Sequence, residues 1–171
     1  RNVLKVSKDG YWSRQIGLQV KSGQKINYNL QLDLQQFNNT VSSVSGGIIT
    51  ISGCSITFPS AAFVNSNGTA FNGTAYIAVR PLYTTDPRFF ATVPGGDMLA
   101  IDQTGAEKVL YSYGMVGVEL HDMSGNNLQL APGKTASISL PIAANQSASA
   151  PASLPMWYFD ATTVNWKEEG T

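Results

Sequence analysis

The chain has 171 residues, and its 11 Lys+Arg balance 11 Asp+Glu, so the formal net charge at pH 7 is zero. This balance excludes the electrostatic footprint of a domain that binds nucleic acid or an anionic membrane. Charged residues make up only 13% of the chain, about half the usual share. Polarity comes instead from Ser, Thr, Asn, Gln and Gly, which is typical of the solvent-facing side of sheets in exported β proteins.

The number of cysteines and the length of the apolar runs narrow the class of protein further. Cys54 is the single cysteine, so no disulfide forms within the chain. That absence favours a bacterial surface protein or a larger core over a small bridged eukaryotic domain. The run Ile51-Ser52-Gly53-Cys54 matches a bacterial lipobox, but no apolar helical region precedes it, so we expect a buried thiol on a strand. No run of 18 apolar residues exists, and no membrane span is predicted in this chain.

Alternation of apolar and polar residues predicts strands in the first forty residues. Short strands are predicted at residues 3–6 and 16–20. The clearest predicted strand runs from Ile26 to Leu34, where every second residue is apolar and Asn, Gln or Asp lies between. Residues 38–45 are polar and rich in turn formers, so we interpret them as a linker or long connection.

A second strand-rich region begins at Gly46-Gly47. Its alternation predicts a buried face on each strand. The predicted inward sets are Cys54, Ile56 and Phe58; Ile77 and Val79; Val116, Val118 and Leu120; and Ala136, Ile138 and Leu140. Residues 143–153 are rich in Ala, Ser and Pro and are predicted to be a flexible linker.

The last segment predicts a β-hairpin. Residues 156–159 and 164–167 alternate around a four-residue turn, with Trp157 and Trp166 predicted to be core residues. An isolated hairpin is marginal in water, so we expect it to pack on the sheet that contains Ile138 and Leu140. About ten short strands without a helix predict an all-β fold of antiparallel β-sandwich units joined by short linkers.

Two stretches resemble a known domain family. Gly46-Gly47-Ile48-Ile49-Thr50-Ile51, followed by residues 56–63 (ITFPSAAF), resembles the start of the zona-occludens/Unc-five β domain. Residues 114–130 (GMVGVELHDMSGNNLQL) and 134–142 (KTASISLPI) are similar to the rest of that domain. Residues 155–160 and 166–170 resemble the beginning of its companion domain, as in cartilage intermediate layer proteins and surface proteins of Bacteroidetes type.

The first forty residues, around SKDGYWSRQIGLQVKSG, resemble the final strands of a carboxypeptidase-regulatory-like β-sandwich. The resemblance implies three units: the end of a regulatory-like unit at residues 1–44, a β-sandwich domain at 45–153, and the start of a further β domain at 154–171. Relatives of this kind act mainly as binding and scaffolding modules. Some cleave themselves at His-Phe-Ser or His-Phe-Thr, and neither tripeptide occurs in this sequence.

Residues suited to catalysis or metal binding are scarce. His121 is the only histidine, and alternation places it on the exposed face of its strand, with Asp122 pointing to the other face. A base without a neighbouring nucleophile predicts no enzyme. One His and one Cys exclude a four-ligand zinc site, and no cofactor is expected. A calcium site in the loops at Asp97 and Asp102 remains an alternative to purely structural carboxylates.

Aromatic side chains give the clearest binding hypothesis. Tyr11 and Trp12 follow a turn glycine, and Phe89 and Phe90 follow Arg88 in the longest irregular stretch. Long loops on rigid scaffolds often carry function, so these five residues are the predicted contacts for a ligand or partner.

The sequence therefore predicts a non-catalytic structural, adhesive or binding module. We expect it to be secreted or at a cell surface, with a bacterial outer surface or periplasm among the locations. The expected partners are a protein or glycan there and adjacent domains of a longer protein, but not nucleic acid. Two alternatives stay open: a carbohydrate-binding module, and a fragment of a self-cleaving β-domain protein.

Overall fold

Strands dominate the computed structural model, which describes residues 2–170. Strands account for 43% of the structure and helices for 5%, so the all-β prediction is confirmed. In the described range, the helices are the four-residue segments Phe89–Thr92 (α1) and Ala144–Ser147 (α2). Neither has the length or the apolar character needed to cross a bilayer.

Contacts divide the chain into two compact units, and each is assembled from separated segments. Unit 1 contains residues 2–35, 84–113 and 144–170, and unit 2 contains residues 36–83 and 114–143. The expected assignment of residues 1–44, 45–153 and 154–171 to three related domains stays a prediction, as does the face-to-face sheet packing of a sandwich.

Unit 2 consists of antiparallel sheets around one apolar core. Its strands are Asn39–Ser42 (β3), Gly47–Ile51 (β4), Cys54–Phe58 (β5), Phe63–Asn65 (β6), Thr74–Leu82 (β7), Met115–His121 (β10), Leu128–Leu130 (β11) and Ser137–Ser139 (β12). The sheet orders are β10-β7-β3, β12-β5-β4 and β11-β6. The buried cluster contains Val41, Ile49, Cys54, Ile56, Phe58, Ala62, Phe63, Ala75, Ile77 and Leu128.

The period-two pattern correctly predicted most inner faces of unit 2. Cys54, Ile56 and Phe58 alternate with more exposed residues along β5 and are buried as expected. Ile138 is an exception, because 48% of its surface is exposed. It lies on β12, an edge strand of its sheet, opposite Ile56.

Unit 1 contains two sheets. Its strands are Asn2–Val6 (β1), Arg14–Leu18 (β2), Leu99–Ile101 (β8), Glu107–Val109 (β9), Met156–Asp160 (β13) and Asn165–Gly170 (β14). β1 pairs with β2 along their full lengths. The other sheet has the order β13-β14-β8-β9, in which β14 and β8 are parallel.

The predicted C-terminal hairpin is confirmed, but the prediction of the sheet on which it packs was wrong. β13 and β14 pair antiparallel, with Phe159 opposite Trp166. The next strand is β8 rather than the strand of Ile138, since Trp166 pairs with Ala100. Trp166 is buried and Trp157 is half-buried. Alternation reports which face of a strand is buried, not which strand covers it, and this explains the error.

Three further predictions were wrong. Residues 38–45, interpreted as a linker or long connection, contain β3, which pairs antiparallel with β7 and places Val41 in the core. Residues 24–33 form no regular strand, and only Leu34 makes an isolated bridge, to Tyr11. The predicted linker at 143–153 contains α2, whose Gln146 is buried and donates through Nε2 to Tyr111 Oη (3.2 Å) and Ser112 O (3.0 Å). A segment of polar composition can therefore be fixed in place by side-chain hydrogen bonds and need not be a flexible linker.

Candidate functional site

Residues 10–12 and 33–35 lie side by side in unit 1. Tyr11 forms an antiparallel bridge with Leu34. The Trp12 amide donates to Asp33 O (2.9 Å), and the Gln35 amide donates to Gly10 O (2.8 Å). Two segments that the sequence separates by twenty residues are therefore neighbours, and their backbone hydrogen bonds hold them in register.

The Asp33 side chain links this pair of segments to Arg88. Arg88 Nη1 lies 3.4 Å from Asp33 Oδ1, and Arg88 is about half exposed in that contact. The Arg88 amide donates to Asp86 Oδ1 (2.7 Å), which fixes the backbone before α1. Asp33 also acts on buried Arg14: burial lowers the pKa of the Arg14 guanidinium, and the charge of Asp33 opposes that change. Asp33 is thus the electrostatic centre of this region.

The two phenylalanines that follow Arg88 have opposite environments. Phe89 is 2% exposed and Phe90 is 75% exposed. Their rings meet edge to face, with centroids 5.3 Å apart. Thr92 Oγ1 donates to the carbonyls of Arg88 and Phe89 (3.0 Å each), which holds the single turn of α1 closed. The buried Phe89 anchors this turn, so Phe90 is presented to solvent from a fixed backbone.

We call the group formed by half-buried Tyr11 and the exposed Leu34, Arg88 and Phe90 the Arg88 surface. Leu34 is 59% exposed, and Lys8 Nζ lies 4.5 Å above the Tyr11 ring. Of the five residues predicted from sequence, Tyr11, Arg88 and Phe90 belong to this surface. Trp12 and Phe89 are buried and do not belong to it.

Asp33 and Leu34 are the parts of this region that sequence reasoning missed. Apolar and polar residues alternate around them in the sequence, so they were interpreted as residues of an ordinary strand. A usable signal was the single acidic residue in an otherwise neutral run from Ile26 to Leu34, because a lone carboxylate near a strand end requires a cationic partner when it is partly buried.

A second aromatic group lies in unit 2. The rings of Phe37 and His121 are stacked, with centroids 4.0 Å apart and planes 17° apart. Tyr76 lies directly opposite His121 in the register of β7 and β10. These residues, with Asp122, Met123 and Gly125, line a depression of about 220 Å³.

His121 is half-buried rather than freely exposed, because Phe37 covers one face of the ring. In the described part of the chain, its ring makes no side-chain hydrogen bond to a hydroxyl or thiol. Burial raises the pKa of the neighbouring Glu119, and the charge of His121 opposes that rise. Cys54 is buried as predicted, and burial raises the pKa of its thiol.

The acidic loops form hydrogen-bonded turns. Asp102 Oδ1 accepts from Thr104 Oγ1 (2.6 Å) and from the amides of Thr104 and Ala106 (2.9 Å each), and Asp102 Oδ2 lies 3.3 Å from Lys108 Nζ. These donors lower the pKa of Asp102 to about 2. Asp97 Oδ1 accepts from the Leu99 amide. Within residues 2–170, no group of three or more His, Cys, Asp or Glu is arranged to hold a metal.

Asp122 repeats the Asp102 arrangement. Its Oδ1 accepts from the amides of Ser124 and Asn126, at 2.8 Å each. Both turns have the sequence Asp-x-Ser/Thr-Gly, so the repeat was readable, and it predicts a side-chain-capped hairpin turn.

The Asp102 turn predicts a measurable loss of stability in acid. A carboxylate with a lowered pKa stabilises the fold above its unfolded pKa of about 3.9, and this contribution is lost as pH falls toward the folded value. We therefore expect the melting temperature to drop between about pH 4 and pH 2, and Asp102→Asn to reduce that drop. Thermal denaturation of both proteins across this range measures the effect. An unchanged pH profile in the variant would contradict it.

Comparison with known proteins adds no family assignment: no protein-family model matches the chain, and neither the curated proteins nor the solved structures compared with it give a match.

Proposed function

We propose that this chain is a non-catalytic binding module of a secreted or cell-surface protein, and that it contacts a protein partner through the Arg88 surface. The observation that carries the proposal is the exposure of both Phe90 and Arg88, two residues apart on a backbone anchored by buried Phe89. Secretion, surface location and kinship with the zona-occludens/Unc-five type of module are part of the proposal, and they rest on composition and on the quoted motifs.

The chemistry of the Arg88 surface supports a protein partner. Aromatic residues and arginine are enriched among the residues that dominate binding energy at protein interfaces. Burying a phenylalanine side chain fully is worth about 1.5–3 kcal/mol of free energy. The exposed Phe90 does not gain this in the free chain, but a partner that covers it would supply it. Asp33 holds Arg88 in place, so less side-chain entropy is lost on association.

The surroundings of the reactive side chains support the absence of catalysis. Hydrolytic catalysis needs a base that contacts a nucleophile. The only histidine stacks on Phe37 instead, and the only thiol is buried with a raised pKa. Neither arrangement activates a nucleophile.

Carbohydrate binding is the second candidate, and the depression in unit 2 favours it. Flat aromatic rings serve as stacking platforms for sugars, and Asp122 provides a carboxylate at the same place. Both Asp122 oxygens already accept hydrogen bonds within their own turn. The Asp122 carboxylate is therefore already engaged within its own turn, and protein binding ranks first.

A panel of immobilised extracellular-matrix proteins and polysaccharides tests the proposal. We expect the chain to bind at least one protein, and Phe90→Ala to weaken that binding about tenfold or more, as interface hot spots do. Val109→Ala is the matched control, because Val109 lies in the same unit and is 76% exposed, against 75% for Phe90.

Two outcomes would oppose the proposal. Equal losses in Phe90→Ala and Val109→Ala would show that the Arg88 surface has no special role. Binding to polysaccharide alone, abolished by Phe37→Ala and retained by Phe90→Ala, would favour the carbohydrate-binding alternative.

A further inference from the structure

The segment from Gln24 to Asp33 has the sequence of a strand without the pairing of one. Apolar residues occupy every second position from Ile26 to Leu32, and the intervening residues are neutral amides. Among residues 2–170, no strand pairs with this segment. Its ends are held by two backbone hydrogen bonds, from the Gln24 amide to Lys21 O and from the Trp12 amide to Asp33 O. It contains no proline, and none of its residues has a positive φ.

Its side chains are left in water at one end. Ile26 is 40% exposed and Tyr28 is 49% exposed. A run of alternating apolar residues with no strand beside it is a template for pairing with another strand. Natural edges are usually blunted by proline, bulges or several charges. This run carries only Lys25 at its start and Asp33 at its end.

We propose that two copies of this chain pair antiparallel along this segment, with Asn29 of one copy opposite Asn29 of the other. In that register Ile26 lies opposite Leu32, and Tyr28 lies opposite Leu30. Directly opposite residues share a face in an antiparallel pair. The apolar residues of both copies therefore form one face and the amides form the other.

The charges select this register. It places Lys25 of each copy opposite Asp33 of the other, so the two-fold pair contains two complementary contacts. A slip of two residues places Lys25 opposite Gln31 or Gln35 and loses both contacts. A slip of one residue places apolar side chains opposite amides. Asp33 keeps its contact with Arg88, and Lys25 of the second copy adds a further cation beside the same carboxylate.

The pairing does not depend on the proposed function, because Phe90 takes no part in it. A two-stranded contact is small, so we expect a reversible dimer at high concentration rather than an obligate one.

Sedimentation equilibrium of the full chain and two charge variants tests the proposal. In Lys25→Asp both cross-strand contacts become acid against acid, and in Asp33→Lys both become base against base. Since like charges opposite each other destabilise a pair, we expect each variant alone to dimerise about tenfold more weakly. An equimolar mixture should recover wild-type association, because both contacts are then complementary.

Controls separate charge pairing from altered folding. Asp33→Lys also removes the contact with Arg88, so Arg88→Ala is measured beside it. Because Arg88→Ala keeps both Lys25–Asp33 contacts, it should not weaken dimerisation. Hydrogen exchange should become slower at amides 25–33 as protein concentration rises. A chain that stays monomeric at its highest soluble concentration would overturn the proposal. So would a mixture no tighter than its components, or a dimer lost in Phe90→Ala.

Discussion

Gly46→Ala is expected to lower the free energy of unfolding of unit 2 by about 2–5 kcal/mol. Gly46 has a φ of +72°, a left-handed conformation that L side chains rarely adopt. An added Cβ would lie 2.3 Å from Phe58 O and 2.7 Å from the carbonyl carbon of Pro59. These are backbone atoms, so the clash cannot be relieved by rotating a side chain. The chain between β3 and β4 would have to move, although the Gly46 amide bonds to Ser42 O.

Gly125→Ala is the matched control for this prediction. Gly125 lies in the same unit, has a similar φ of +82°, and has no atom within 4 Å of the added Cβ. Gly125→Ala should lower the free energy of unfolding only by the cost of a left-handed alanine, about 1–2 kcal/mol. Urea denaturation followed by circular dichroism compares the two variants. Equal losses would show that the close approach to Phe58 and Pro59 has no energetic weight.

Trp166→Ala should destabilise unit 1 by about 3–5 kcal/mol. Trp166 is 8% exposed and packs edge to face on Phe159, with centroids 5.6 Å apart. Its Nε1 donates to Pro94 O (3.2 Å), and its strand lies between β13 and β8. Trp166→Phe keeps an aromatic ring but leaves the Pro94 carbonyl without this donor, so a loss of about 1–3 kcal/mol is expected.

Tyr158→Ala provides the comparison for the hairpin, because Tyr158 is on β13 and is 44% exposed. Tyr158→Ala should lower the free energy of unfolding by about 1 kcal/mol or less. Circular dichroism is the suitable probe, since the substitutions alter tryptophan fluorescence directly. Proteolytic removal of residues 154–171 without a change in melting temperature would contradict the anchoring role of Trp166.

The sequence predicted features that depend on local alternation. Cys54, Ile56 and Phe58 are buried on one face of β5 because side chains of a strand alternate between faces. The hairpin at Phe159 and Trp166 followed from the same rule and a short turn. Both features need only neighbouring residues, so one sequence was sufficient.

Features that depend on a partner strand could not be read in this way. Residues 26–34 have the best alternation in the chain, yet no described strand lies beside most of them. The parallel contact between Trp166 and Ala100 joins residues far apart in sequence. Alternation contains no information on which distant strand provides the backbone hydrogen bonds.

Residue type predicted some members of the candidate site, but the sequence did not predict which residues contact each other there. Arg88 and Phe90 were identified because aromatic and arginine residues in a long loop are suited to binding. That Asp33 would hold Arg88 depends on the pairing of residues 10–12 with 33–35. The burial of Phe89 beside an exposed Phe90 depends on the single turn of α1.

Photo-crosslinking from position 90 tests the central claim most directly. The full chain carrying p-benzoylphenylalanine at residue 90 is irradiated with an extract of cell-surface proteins, and a chain modified at residue 109 serves as the control. A protein contact at the Arg88 surface predicts a discrete adduct from position 90 that excess wild-type chain suppresses and excess Phe90→Ala chain does not. Equal adducts from both positions, or suppression by both competitors, would contradict a partner bound through Phe90.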